Sequence, residues 1–229
     1  MSAETAPHMA VAVDLVILTL REGRFSVLLI RRRSDPYGQA WALPGGFVRA
    51  EEDLVDAAQR VLADEASLGE DRVYLEQVRT FGEPGRDPRG RIVSVVFMAL
   101  GADLPDPVQG EDVDDARWWA VDDLDSIDLA FDHARILEVA IDRARSKLEY
   151  TTLATTFLPE EFTISQLRRV YEAVWGTRLD AGNFHRKATR SACFLEELDG
   201  RAAETGGRPA RLFRAGPGEG LNPPLLRGT

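Results

Sequence analysis

Four residues at helical spacing, Asn183, Arg186, Lys187 and Arg190, have the chemistry to read a polyanion. Steps of three and four put them on one face of a helix expected over 181–198, while Phe184, Ala188, Ser191, Leu195 and Leu198 take another face, toward a core. Arginine pairs with guanine edges, asparagine with adenine and lysine with phosphate, so the stripe suits a DNA major groove. His185 borders it, Arg168 and Arg169 precede it, and Arg201, Arg208 and Arg211 follow it. The competing reading is an ordinary solvated helix face that happens to be basic. A second set, Arg33, Arg86 and Arg89, suits a diphosphate, because guanidinium groups match phosphate oxygens two at a time. Tyr37, Trp41 and Phe47 are candidates to stack on an adenine, although Trp41 and Phe47 would serve equally well as core residues.

The elements that must position these residues fall into two groups. Strands are expected over 11–20 and 25–30, joined at Arg21-Glu22-Gly23-Arg24, then a Gly- and Pro-rich loop over 31–46 and an amphipathic helix over 51–66. Strands over 73–81, 92–100 and 118–121 and a helix over 131–148 complete a first domain. Strands and helices interleave without strict alternation, which predicts an α+β fold with a mixed sheet between helices. In the second group Thr163 precedes the apolar-periodic run Ile164, Leu167, Val170, Tyr171 and Val174, Gly176 ends that helix, and Asp180 can cap the next. A short hairpin bracketed by Asp199-Gly200 and Gly206-Gly207 follows, so the outline is a winged helix-turn-helix. The expected domains are 1–149, which would sense a ligand, and 150–229, which would bind DNA and end in a flexible tail.

Charge supports the same division. The net charge of −10 argues against a nucleic-acid protein only as an average. Residues 1–150 carry 17 basic and 29 acidic side chains, a balance of −12; residues 151–229 carry 11 and 9, a balance of +2. Phosphate contacts are therefore expected in the second part. The longest apolar run, Val11 to Leu20, is interrupted by Asp14 and is too short for a membrane span. The N-terminus lacks the basic cluster of a secretory signal. The single cysteine, Cys193, excludes an internal disulfide framework, fits a reducing cytoplasm, and is expected to pack as a small buried hydrophobe.

The stretch from Gly46 to Leu68 resembles the Nudix box. Gly46, Glu52, Arg60, Leu62, Glu65 and Leu68 match it, whereas Val61 and Asp64 stand where the box has glutamates and Ser67 where it has glycine. Asp35-Pro36-Tyr37-Gly38, Trp41 to Gly46, Arg79-Thr80-Phe81-Gly82 and Leu129-Ala130-Phe131-Asp132-His133 resemble the ADP-ribose branch of that superfamily. The resemblance implies an α/β/α sandwich whose box carboxylates hold Mg²⁺ or Mn²⁺ against a substrate diphosphate. Val61 offers no oxygen, and Asp64 is shorter than glutamate. Weak hydrolysis or none is therefore expected, with no cofactor required and at most a weak Mg²⁺ site at Asp64 and Glu65. Glu52 is expected as a helix-start acid favoured by the helix dipole, Arg60 to hold the box helix by pairing with an acid, and His133 to cap or pack at its helix start.

With the winged helix behind it, the whole chain resembles the NrtR family of Nudix-related transcriptional regulators of NAD metabolism. That resemblance implies a homodimer that represses NAD biosynthesis or salvage genes on palindromic double-stranded DNA, controlled by ADP-ribose or a related nucleotide. Two readings compete with it. One is an active Mg²⁺-dependent nucleoside-diphosphate hydrolase with an accessory winged helix. The other is a scaffold whose winged helix binds protein.

Overall fold

The computed structural model describes residues 8–66, 73–107, 113–202 and 209–227. Strand β1 (Ala10–Arg21) lies in the middle of a seven-stranded sheet in the order β3-β2-β1-β6-β5, with β4 on β1 and β7 on β2. Residues 14–19 of β1 are continuously buried, as a strand covered on both faces must be. The turn to β2 (Arg24–Arg32) puts Glu22 and Gly23 at φ 51° and 76°, the positive pair that a two-residue hairpin matching strand twist requires. The stretch 31–46, expected as a loop, also contributes strand: β3 (Trp41–Ala42) pairs with β2, and β4 (Gly45–Phe47) pairs antiparallel with β1, Asp14 opposite Gly45. Tight backbone approach makes this pairing, and the periodicity of so short a segment carries no sign of it.

Helix α1 (Leu54–Ala66) turns Ala57, Ala58, Val61 and Leu62 onto Val13, Leu15, Ile17, Leu28, Val95 and Phe97 of the sheet. Strand β5 (Tyr74–Phe81), β6 (Ile92–Leu100) and β7 (Val113–Ala120) follow; β6 starts and ends where its apolar run does. Helix α2 (His133–Tyr150) buries His133, Ile136, Leu137, Ala140, Ile141, Ala144 and Leu148, a stripe at steps of three and four.

Helix α3 (Ile164–Trp175) opens on a capping box: Thr163 Oγ1 accepts the Gln166 amide, and Gln166 Oε1 accepts the Thr163 amide. It closes on Gly176 at φ 65°. Helix α4 (Ala181–Arg190) starts at Asp180, whose carboxylate accepts the Asn183 amide at 2.7 Å. Strands β8 (Leu195–Ala202) and β9 (Ala210–Ala215) form the wing. The helix expected to reach Leu198 thus ends at Arg190, and Leu195 and Leu198 lie on β8. The reason is tertiary: Cys193 takes φ 57°, and the Gly216 and Gly218 amides donate to the carbonyls of Phe194 and Cys193 at 2.7 and 2.9 Å. The same turn leaves Cys193 exposed rather than buried.

The stretch after Ala215 is packed, not loose. The Leu221 and Leu225 amides donate to the carbonyls of Tyr150 and Glu149, and both leucines are buried. Arg227 reaches Glu149, Asp142 and Ser146. This strap also accepts the Ala192 amide at Asn222 O and the Ser191 hydroxyl at Pro223 O, just past the end of α4. Pro- and Gly-rich composition suggested mobility, but the burial of two leucines offsets the cost of ordering the segment.

The chain folds as two compact units. The first comprises residues 1–18, 27–99 and 104–140; the second comprises 19–26, 100–103 and 141–229. Each is discontinuous in sequence, and the second includes the last turns of α2. No helix among the described residues is long and apolar enough to cross a membrane.

Candidate functional site

In the first unit, β1, β2, β4, the 82–91 loop and the start of α2 enclose a cavity of about 210 Å³. Two-residue alternation sends Ile30 and Arg32 of β2 into it. Arg33, the strand-end cation singled out in the sequence, does not line it. Alternation puts Arg31 and Arg33 together on one face of the strand end, and the face that meets the cavity is the other, with Ile30 and Arg32. Arg31 instead donates to Gln39 O. Arg86 and Arg89 both line the cavity, each already engaged by a carboxylate. Arg86 donates from Nε and Nη2 to both oxygens of Asp132 at 3.0 and 2.6 Å. Arg89 grips the buried Asp87 in the same fork, at 3.0 and 2.6 Å, and holds its carboxyl below the usual range despite burial. Arg32 donates Nε to Pro36 O at 3.0 Å, and among the described residues its terminal nitrogens have no such carboxylate fork. Burial, then the charge of Arg89, pulls its pKa down, against the opposing charges of Asp87 and Asp14.

Phe131, at φ 54°, is the aromatic centre of the cavity wall. The guanidinium carbons of Arg32 and Arg89 lie 4.9 and 5.3 Å from its ring centroid, and Tyr37 packs on it at 4.8 Å. Of the three rings proposed from sequence, Phe47 lines the cavity and is exposed, under Arg89 at 5.2 Å. Tyr37 is exposed but outside the lining. Trp41 is core: it meets Trp119 edge-on at 5.2 Å, and its backbone bonds Asp128 and Ala130.

His133 does more than cap. Its Nδ1 accepts the Leu43 amide at 2.9 Å, which leaves the proton on Nε2, the nitrogen 3.9 Å from Asp14 Oδ1. Burial depresses its pKa below 6.5, and Arg86 and Arg32 add to that, while Asp14 and Asp132 oppose. The unfolded chain therefore binds this proton more readily than the folded one. His133 should contribute stability that is intact above pH 6.5 and lost as pH falls through that value toward the folded pKa. Urea midpoints measured at pH 7.5 and about 5.5 should drop further in the native chain than in His133→Gln. An equal drop in both would remove His133 as the cause.

The box residues form a staple. Glu52 accepts Nε and Nη2 of Arg60 at 2.5 and 2.9 Å, and Arg60 also donates to Phe47 O. The guanidinium holds the Glu52 carboxyl down to about 2. Gly46 sits where a Cβ would meet Val61 Cγ2 at 3.7 Å and Arg60 Nη1 at 3.8 Å. Val61 is core, and neither the exposed Asp64 nor the half-buried Glu65 lines the cavity. No group of three or more metal-binding side chains occurs among the described residues. The box helix thus keeps two carboxylates, Asp64 and Glu65, and offers no oxygen at Val61.

In the second unit, α4 turns Phe184 and Ala188 inward and leaves His185, Arg186 and Arg190 exposed, with Asn183 and Lys187 half-exposed between them. Arg186 donates to Asn183 Oδ1 at 2.7 Å. A second cavity, about 420 Å³, opens between the starts of α3 and α4 and the wing, and Arg168, His185, Arg201 and Arg211 line it. Arg168 bonds Leu179 O, and Arg211 is paired across the wing with Glu197 at 2.5 Å, an acid the sequence reading passed over. Arg208 lies outside the described residues. Asp14, Arg32, Asp87 and Phe131 were missed as cavity residues. Asp14 alone left a signal, as a charge inside an apolar strand.

Residues 8–140 match the NUDIX domain family and residues 154–215 the NrtR DNA-binding winged helix domain. The ADPR responsive transcriptional repressor NtrR of Acinetobacter baylyi is 36% identical over 210 residues, 91% of this chain and 82% of that one. The crystal structure of Shewanella oneidensis NrtR complexed with a 27mer DNA matches at TM-score 0.76 and 30% identity, over 90% of this chain and 94% of that one. The NUDIX domain of the same protein complexed with ADP ribose matches at TM-score 0.54 and 31% identity, over 63% of this chain and 94% of that one. The two domain matches follow one another in the order Nudix domain, then winged helix, and the chain belongs to the NrtR family.

Proposed function

We propose that this chain is a transcriptional repressor that binds operator DNA as a homodimer through α4 and the wing, and that ADP-ribose or a closely related nucleotide, held intact in the cavity of the first unit, controls it. The observation that carries the reading is Val61. The first carboxylate position of the box is a core residue, beside a cavity that still presents Arg32 and Arg89 to an anion. Such a site can grip a diphosphate by charge without a metal to activate water. Gly46, Phe47, Arg86 and Phe131 complete the ligand set, with Phe47 the ring able to stack. Asn183, His185, Arg186, Lys187 and Arg190 face the major groove; Arg168, Arg201 and Arg211 meet phosphate. The similarity to an ADPR responsive repressor and to a DNA-bound structure supports both halves of the proposal.

For the ligand to act it must bind the DNA-free conformation more tightly, by reciprocity. The test is a titration of the protein onto fragments upstream of NAD-pathway genes, with and without ADP-ribose, with hydrolysis assayed in the same mixtures. Selective binding weakened by intact ADP-ribose is expected. Rapid Mg²⁺-dependent turnover without selective DNA binding would put the hydrolase reading in its place.

A further inference from the structure

Of the acids lining this cavity, Asp87 is taken up by Arg89, whereas the two oxygens of Asp14 are treated differently. Oδ2 accepts the Ser94 hydroxyl at 2.5 Å and lies 3.7 Å from Arg86 Nη2. Oδ1 accepts no hydrogen bond among the described residues. His133 Nε2 lies 3.9 Å from it. Arg86 turns its Nε and Nη2 to Asp132. Asp14 lines the cavity, so a group bound there can reach Oδ1.

Gly45 keeps that oxygen open. A Cβ there would sit 2.5 Å from Asp14 Oδ1, so any other residue would close the space in front of it. His133 supplies the complementary partner. With Nδ1 accepting the Leu43 amide, its proton is on Nε2, so an acceptor and a donor face each other across 3.9 Å. That gap is too long for a direct bond and right for one oxygen placed about 2.8 Å from each. The oxygen must carry a proton to give to Asp14 and a lone pair to receive from His133. A hydroxyl meets both conditions. An ionised phosphate oxygen can receive from His133 but has no proton to give to Asp14, and its charge is repelled by the carboxylate.

We propose that Asp14 and His133 form a sugar-hydroxyl subsite at the floor of this cavity, so that the ligand is recognised as a nucleoside diphosphate bearing a terminal sugar rather than as a diphosphate alone. This rests on the reading of the cavity as the nucleotide site. Arg32 and Arg89 attract the anionic centre, and the acid rejects ligands that end in phosphate.

The test is calorimetric titration of the full chain with ADP-ribose and with ADP, repeated on Asp14→Asn. The native chain should bind ADP-ribose at least about tenfold more tightly than ADP, the scale of one hydrogen bond to a charged group. Asp14→Asn should weaken ADP-ribose by a similar factor while ADP binds unchanged or more tightly, since a negative charge has gone. Loss of fold would weaken both, so opposite movement is the signature. Equal affinity of the native chain for the two ligands would overturn the subsite without any variant. So would a parallel loss of both ligands in Asp14→Asn that retains the native melting temperature. Failure of the native chain to bind either ligand would instead overturn the nucleotide reading, and the subsite with it.

Discussion

Tyr171→Ala should destabilise the second unit by about 3–5 kcal/mol, the range for removing a large buried aromatic. Tyr171 is fully buried, its ring 4.7 Å from that of Trp175 and 5.3 Å from that of Phe184, and its hydroxyl donates to Leu148 O at 3.1 Å. Burial pushes the phenol pKa up, so it remains a donor at any working pH. Through Phe184 it seats α4, and through Leu148 it fastens α3 to the last turns of α2. Tyr171→Phe separates the two roles. It keeps the ring contacts and removes the donor, at a cost of about 1–3 kcal/mol for a buried carbonyl deprived of its partner. Urea unfolding followed by far-UV circular dichroism should rank native, Phe and Ala in that order. An Ala variant within about 1 kcal/mol of native would show that the unit's core lies elsewhere.

The second large effect concerns affinity. Replacing Arg186 and Arg190 together with alanine should weaken operator binding by about two to four powers of ten, from a loss of roughly 1–3 kcal/mol at each contact. Both side chains are exposed and neither packs in the core, so the melting temperature should stay within a degree or two of native, as for surface substitutions generally. The salt dependence of binding should also flatten, because fewer counterions are released. Fluorescence anisotropy of a labelled operator across a salt series measures both. Unchanged affinity would move the interface off α4 and revive the scaffold reading.

What the sequence made legible was local. The start of α3 after Thr163, the Asp180 cap and the Gly176 stop each depend on residues within four positions, and each occurs as expected; the Gln166 half of the Thr163 capping box was not read. The end of α4 was not legible because Leu195 and Leu198 continue its apolar period by coincidence. The break is imposed by Gly216 and Gly218, some twenty residues on. Arg32 was missed for a related reason: alternation groups side chains into two faces, but only the neighbouring β1 and β4 decide which face meets a cavity. That Arg60 would pair with an acid was readable, but its partner was not: Glu52 lies ahead of α1, and the loop before the helix brings it back to the guanidinium. The acids that engage Arg86 and Arg211, Asp132 and Glu197, come from distant strands and turns and left no local trace.

The discontinuity of the two units bears on how such a protein can be recombined. A crossover at Tyr150 looks natural, since the helix-turn-helix begins beyond it. It would separate Tyr171 from the Leu148 carbonyl, Trp175 from the Arg145 carbonyl, Phe157 from Phe25, and Leu225 and Arg227 from Glu149. A DNA-reading half transplanted between relatives must therefore bring residues 141–150 and the hairpin tip 19–26 with it, or meet matching residues already in place. New operator specificities should arise more readily by substitution along the outer face of α4 than by exchange of whole modules.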